Sequence, residues 1–381
     1  MNLVALKMLV GDRMKYFALI AGVAFASLLI TQQASIFTGY ALRTGAWIRE
    51  TGYADLWVMD EQVEHTVDIK RMGDMTLSRV RGVEGVAWAA PMYYGFLNVV
   101  LPDGSRQNFR IIGIDDATLA GAPPTMVEGQ YSDLRRDRAV IMNHAANVML
   151  DRFPADQRRY LRVGDRVSVN DNEVEIVGSY ASSPEFFWEP IFYTTYSRAI
   201  FMSPTERKNL QYILVKLREG VDARQVAGRI NALGGVRAMT GREFENQTMW
   251  WILVQTGILV NFGITIALGF VIGMLVAGQT FYTFILDNLR NFGALKAMGV
   301  GNGRIVMMMA TQVVVVALLG YGIGVGLASL TGAAFSGVGL AFQMPWQIPA
   351  GGFLAVGGVC MLAGVLSMMK VMRLEPGVVF R

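Results

Sequence analysis

The chain has 381 residues, of which 53% are hydrophobic and only 17% charged, and its mean hydropathy is +0.36. That is more apolar than a soluble chain of this length. A formal charge of +4 and a single cysteine, Cys360, exclude a disulfide-built fold and leave nucleic acid off the expected partners.

No Asp, Glu, Lys or Arg occurs between Tyr16 and Leu42, between Asn246 and Leu286, or between Ile305 and Met369. Crossing a hydrocarbon layer of ~30 Å takes roughly 20 apolar residues. The first two gaps therefore hold one span each. The third is too long for one and must fold back, at Pro345, Trp346 and Pro349, where prolines deny helical continuity.

In chain order the reading is an amphipathic segment 1–16, span 17–38, an external domain 39–250, span 251–279, a loop 280–304, span 305–330, a short loop 331–348, span 349–369 and a tail 370–381. The first gap is longer than a signal-peptide core, so it reads as a retained span. Lys7, Arg13 and Lys15, then Arg290, Lys296 and Arg304, then Lys370, Arg373 and Arg381 flank the spans on one side. By the positive-inside bias both termini and loop 280–304 are expected in the cytoplasm.

The external domain reads as mixed α and β, giving a four-helix membrane protein with a large α+β domain inserted between helices 1 and 2. Strands are expected at Gly52–Met59 and Gly85–Pro91. A hairpin is expected from Phe96–Leu101 through Asp103-Gly104 to Arg106–Ile114, because Asp-Gly accepts the positive φ of a tight turn. Thr76–Val83 predicts a helix. A block at about 123–204 reads as an insert, with the two-stranded unit Val163–Val169, Asn170-Asp171-Asn172 and Glu173–Tyr180. Strand Tyr212–Leu217 and the helix Ala223–Leu233, with Val226 and Ile230 four apart, resume the first fold.

Catalytic chemistry is missing from the motifs. His65 and His144 have no ligand-like spacing, so no metal site is expected. There is no P-loop, no serine-hydrolase or zinc-protease motif, and no carboxylate within a span. Gly299-Val300-Gly301-Asn302-Gly303 follows no strand and reads as a helix stop. Nothing argues for an enzyme.

The loop after span two predicts a helix over Asn288–Gly299. Leu289, Phe292, Leu295 and Met298 recur at helical spacing, Arg290 and Lys296 point elsewhere, and Gly299 supplies the stop. Such a helix either docks on a cytoplasmic partner or rests on lipid. Here the sequence becomes recognisable. Leu295-Lys296-Ala297-Met298-Gly299 and the ending Lys370–Arg381, with Val163-Gly164-Asp165-Arg166-Val167 and an N-terminal segment holding Leu3, Leu6 and Val10, resemble the permease subunits of the MacB/FtsX/LolC group of ABC transporters, also called type VII, and most of all the DevC-like branch. Asn291, where that group has Glu, and Glu375 and Val378 near the end depart from its pattern.

The resemblance implies a homodimeric or heterodimeric permease of a bacterial inner membrane that pairs with a separate cytoplasmic ABC ATPase. ATP and Mg would be bound by that ATPase, with no cofactor on this chain. Its contact would be Asn288, Leu289, Arg290, Phe292, Leu295, Lys296, Met298 and Gly299. ATP-driven motion would be passed by mechanotransmission to a periplasmic domain, for export or extraction of a hydrophobic or lipid-like cargo. A periplasmic adaptor and an outer-membrane duct are candidate further partners besides membrane lipids. An FtsX-like relay that regulates a wall hydrolase is the alternative. Gly269 and Gly273, small residues four apart, are candidates for a dimer contact or for packing within one chain. Thr38–Glu50 and Gly241–Trp250 lack proline and are expected to extend the first two spans as a paired stalk.

Overall fold

The computed structural model describes residues 13–73, 75–123, 125–144, 160–186, 189–204, 210–335 and 340–372. Leu3, Leu6 and Val10 lie outside these residues, as do 145–159 of the proposed insert, 336–339 of the third loop and 373–381 of the tail. The chain forms two compact units, one of residues 1–40 with 256–381 and one of residues 41–255.

In chain order the described elements are α1 (Arg13–Thr44), α2 (Ala46–Glu50), β1 (Leu56–Asp60), α3 (Thr76–Arg81), β2 (Val86–Val100), β3 (Arg106–Ile114), β4 (Met126–Glu128) and β5 (Ala139–Asn143). Then come β6 (Arg166–Val169), β7 (Asn172–Tyr180), β8 (Ile191–Thr195), α4 (Tyr196–Met202), β9 (Tyr212–Leu217), α5 (Ala223–Asn231) and β10 (Val236–Thr240). The chain ends with α6 (Gly241–Gln255), α7 (Ile258–Asp287), α8 (Leu289–Ala297), α9 (Asn302–Phe335) and α10 (Gln347–Met372).

Among the described residues four helices, α1, α7, α9 and α10, are long and apolar enough to cross a membrane. Each begins or ends beyond the apolar window that marks it in the sequence, because helical hydrogen bonding does not stop where charge begins. The run 251–279 needs a larger correction, since it is not one helix. It contains the end of α6 and most of α7, separated at Gly257, whose φ of 72° no continuing helix allows.

Glycine sets the close approaches in the helical unit. A Cβ on Gly320 would fall 2.6 Å from Val23 of α1, and one on Gly324 2.5 Å from the Ala24 carbonyl. Ser27 of α1, fully buried, donates to the Tyr321 carbonyl of α9 at 3.2 Å. Leu19, Val23, Phe281, Phe284, Val313, Val316, Val356 and Cys360 share one core. In lipid such packing, rather than water exclusion, holds helices together.

In the second unit β2 organises the sheet. Its first half pairs with β9, which pairs with β1 and then β10, all antiparallel. Its second half pairs with β3 from Tyr93↔Gly113 to Val100↔Arg106. The sequence reading of two strands, Gly85–Pro91 and Phe96–Leu101, is therefore corrected to one 15-residue strand. Pro91 is tolerated because it lies where β9 pairing ends and β3 pairing starts, so the missing N–H leaves little unpaired.

From β3 the pairing continues through β8, β5 and β7 to β6, and β6 pairs back to β2 at Val99↔Val169. These six strands close a small barrel. Its interior takes alternate residues from every strand, including Tyr93, Val99, Phe109, Ile111, Val140, Val167, Val174, Ile176 and Phe192. Residues 123–204 are thus not a separate subdomain, because their strands complete this barrel with β2 and β3. Helices α3 and α5 cover one face of the open sheet through Val80, Val226 and Ile230.

Candidate functional site

Helix α8 leaves α7 through Asn288, whose side chain donates to the Phe284 carbonyl at 2.9 Å. It ends in a glycine cap: Gly299 has φ 88°, and the Val300 N–H donates to the Leu295 carbonyl at 3.0 Å. Phe292 is 3% exposed and belongs to the core of the helical unit, with Phe284, Ile285 and Ile305. Phe292, expected at the partner contact, is thus covered within the chain, because periodicity finds an apolar stripe without saying what covers it. Leu295 and Lys296 are half-buried, while Arg290, Asn291, Ala294 and Met298 are exposed, and the Leu289 side chain lies outside the described ones. Beside this helix, Asp287 forms an ion pair with Lys15 of α1.

Gly269 and Gly273 both face α1. A Cβ on Gly269 would meet Leu29 at 3.3 Å, and one on Gly273 would meet Ala26 at 2.5 Å. Of the two expectations for these glycines, the approach of α1 matches packing within the chain. At 100° per residue the opposite side of α7 carries Val260, Ile264, Leu268, Val271 and Leu275, all exposed. The apolar window of α7 is only 11% buried, against 33% in α9 and 39% in α10. Its outward stripe is open to lipid or to another chain.

In the second unit the first and last segments meet in one aromatic core. Trp47 of α2 lies 5.2 Å from Trp57, 4.9 Å from Tyr94 and 5.9 Å from Tyr212, centroid to centroid. Its Nε1–H donates to Tyr193 Oη at 3.2 Å. Phe244 of α6 enters the same core, 5.7 Å from Trp57 and 5.8 Å from Tyr212. Arg49 of α2 and Glu245 of α6 form an ion pair beside it. The start of α6 is set by Thr240 and Glu243, which bond reciprocally at 2.9 Å and 3.3 Å.

A charged latch adjoins this core. Arg110 of β3 is 1% exposed, with its guanidinium 5.6 Å above Tyr94 and 5.9 Å from Phe96. It pairs with Glu185 and, at 3.6 Å, with Glu189, both on the β7–β8 loop. Burial alone would lower the Arg110 pKa; the two carboxylates and the hydrogen bond that Arg110 donates to Glu185 reverse that and raise it. The same loop bonds the chain next to α2: the Ser183 N–H donates to Glu50 Oε1 at 2.7 Å, and the Phe186 N–H to the Arg43 carbonyl at 3.3 Å. Burial raises the pKa of Glu50 and of Glu189.

Residues 18–233 match the MacB-like periplasmic core domain, and residues 245–376 match the FtsX-like permease C-terminal region. The chain belongs to the MacB/FtsX family of ABC transporter permeases. The permease is similar to an uncharacterised ABC transporter permease of Mycobacterium tuberculosis, 24% identical over 323 residues that cover 81% of this chain and 78% of that one. A second from the same organism is 32% identical over 114 residues, 29% of this chain and 31% of that one. Among solved structures, the permease is similar to the periplasmic region of MacB from Actinobacillus actinomycetemcomitans, with 12% identity and a TM-score of 0.38 over 52% of this chain and 94% of that one. It is also similar to the extracellular domain of the noncanonic ABC-type transporter YknZ from Gram-positive bacteria, with 13% identity and a TM-score of 0.36 over 49% of this chain and 99% of that one.

An ABC transporter permease implies a separate ATPase partner, and four apolar helices make this permease a multi-pass membrane protein. Sequence reasoning missed Trp47, Phe244 and Arg110. The spacing Thr240-x-x-Glu243 marks the start of α6 and was there to be read. No local pattern marks Arg110 as buried, since its carboxylate partners are 75 and more residues away.

Proposed function

We propose that this permease couples a cytoplasmic ATPase, which binds ATP and Mg, to motion of its MacB-like periplasmic domain, and so exports or extracts a hydrophobic or lipid-like cargo. In this reading it lies in a bacterial inner membrane with both termini in the cytoplasm. A second copy packs against the outward stripe of α7, and the ATPase docks on the exposed side of α8 through Arg290, Asn291, Ala294 and Met298. A periplasmic adaptor and an outer-membrane duct complete the route in a Gram-negative envelope.

One observation carries the coupling role. The two segments through which the periplasmic domain joins the spans are pinned into one core by Trp47, Phe244 and the Arg49–Glu245 pair. A core packed to crystal-like density passes displacement on instead of absorbing it. The test is a Gly-Ser linker inserted between Leu42 and Arg43, with a spin label on the exposed turn at Asp103 to report the domain's response to ATP. The expected result is retained ATP hydrolysis and a lost spectral response. An unchanged response would remove the coupling role, and capture of a wall hydrolase with no cargo would turn the reading to a signal relay.

A further inference from the structure

The strand half that carries Trp88 borders a cleft of about 430 Å³ in the periplasmic domain, a volume in the ordinary range for a small-ligand site. Its walls are the rings of Tyr53, Trp88 and Tyr131 with Leu119, and Arg135 is the one charged residue among the described residues of the lining. A second cavity of about 370 Å³ is also bordered by Trp88 and Thr118.

Two of the wall residues are held in unfavourable backbone. Tyr53 has φ 76° and Leu119 has φ 55°. For bulky side chains that region is an outlier, which persists only where surrounding contacts over-determine it. At Leu119 those contacts are visible: Asp115 accepts from the Thr118 N–H and Oγ, both at 2.8 Å, and the Leu119 carbonyl accepts from the Ala122 N–H at 3.1 Å. Arg135 donates to the Ala117 carbonyl at 2.9 Å, which fixes the guanidinium against the same loop. Tyr53, by contrast, is 66% exposed, so its ring is held out beside the cleft without a packing gain.

We propose that this cleft binds a small anionic amphiphile, with its chain along Trp88, Tyr53 and Tyr131 and its anionic head on Arg135. The walls are apolar and aromatic, which suits a hydrocarbon body. A guanidinium bonds a carboxylate or similar oxyanion with paired N–H groups. Among the described residues no carboxylate lines the main cleft, so a cation is the poorer fit. The inference goes beyond the coupling role and does not need it, because binding is read on the permease alone.

The experiment uses the full chain in zwitterionic lipid nanodiscs, with photoreactive diazirine analogues of dodecanoate and of dodecanol. Saturable labelling by the carboxylate is expected on peptides containing Tyr53, Trp88 and Leu119–Tyr131. Arg135→Gln, a surface change that leaves the apolar walls intact, should weaken the carboxylate probe about tenfold and the alcohol probe by less than about twofold. Trp88→Ala should weaken both. Labelling confined to the membrane helices, or equal loss of both probes in Arg135→Gln, would overturn the proposal. So would a protein partner lost with Trp88→Ala while neither probe labels the cleft, an outcome that makes the groove a protein-docking surface.

Discussion

Replacing Arg110 with Met tests whether the charged latch is held by one buried cation. The guanidinium side chain is 2% exposed, and Glu185 and Glu189 beside it are 11% and 36% exposed. Methionine fills much of the volume but strands two carboxylates next to Tyr94 and Phe96. Removing one side of a buried pair costs about 3–5 kcal/mol. Loss of the contacts with the Tyr94 and Phe96 rings belongs within that figure, since a desolvated cation over a ring contributes about 2 kcal/mol. Glu189 is too exposed to add much. Glu185→Gln should cost less than Arg110→Met, because Glu189 remains to balance the cation. The double variant Arg110→Met with Glu185→Gln should recover most of the loss, since only the half-solvated carboxylate is left. The assay is amide hydrogen exchange of β3 and β8 in the full-length protein, which reads the opening free energy of this region without unfolding the spans. A loss below about 1 kcal/mol in Arg110→Met, or a double variant no better than the single one, would refute the reasoning.

Gly273→Leu should loosen the α1–α7 contact by about 1–3 kcal/mol through overpacking, since a Cβ alone would lie 2.5 Å from Ala26; a lower melting temperature with an unchanged oligomer in native mass spectra is expected. Phe292→Asp should destabilise the helical unit itself, whereas Arg290→Glu with Met298→Asp should leave its melting temperature in place and release the ATPase on co-purification; the opposite pattern would return Phe292 to the interface. Burial raises the Glu50 pKa above its ordinary 4.5, so its contribution favours the fold below 4.5 and is lost as pH rises through the raised folded-state value. Glu50→Gln keeps an oxygen for the Ser183 N–H and is expected to raise domain stability at neutral pH and to match wild type below 4.5. A difference that does not vary with pH would count against this.

What the sequence shows depends on how far each constraint reaches. Lipid excludes charge and unpaired backbone groups over a whole span, so gaps such as 305–369 are legible without any knowledge of neighbours. The turn at Gly104, with φ 84°, and the face of Val226 and Ile230 are equally local. Barrel closure is not, because the Val99↔Val169 pairing joins strands 70 positions apart with no signal in either segment. The same limit explains the glycines. Two small residues four apart on α7 say that a backbone comes close, and only the fold says that it is α1 of the same chain.

The segments expected to form a stalk show what a propensity argument leaves out. By propensity alone Gly39 and Gly45 each count as a loss of about 1 kcal/mol in a helix. In the structure Gly39 lies in a continuous 32-residue helix, where the Ala341 carbonyl approaches so closely that no side chain fits. At Gly45 the Glu245 side chain approaches in the same way, so that glycine admits α6 against α2. Both are sites of close packing, and packing is where a glycine's entropic cost is offset. Gly257 is the contrary case: nothing lies within 4 Å of its missing Cβ, and it is required for its φ of 72° alone. Helix α1 therefore runs unbroken to Thr44, whereas the run 251–279 is divided at Gly257 into the end of α6 and most of α7. A flexible linker between Leu42 and Arg43 would interrupt a continuous helix. The same linker between Val254 and Gln255 would fall beside a break that the chain already has, because a residue at φ 72° cannot continue a helix.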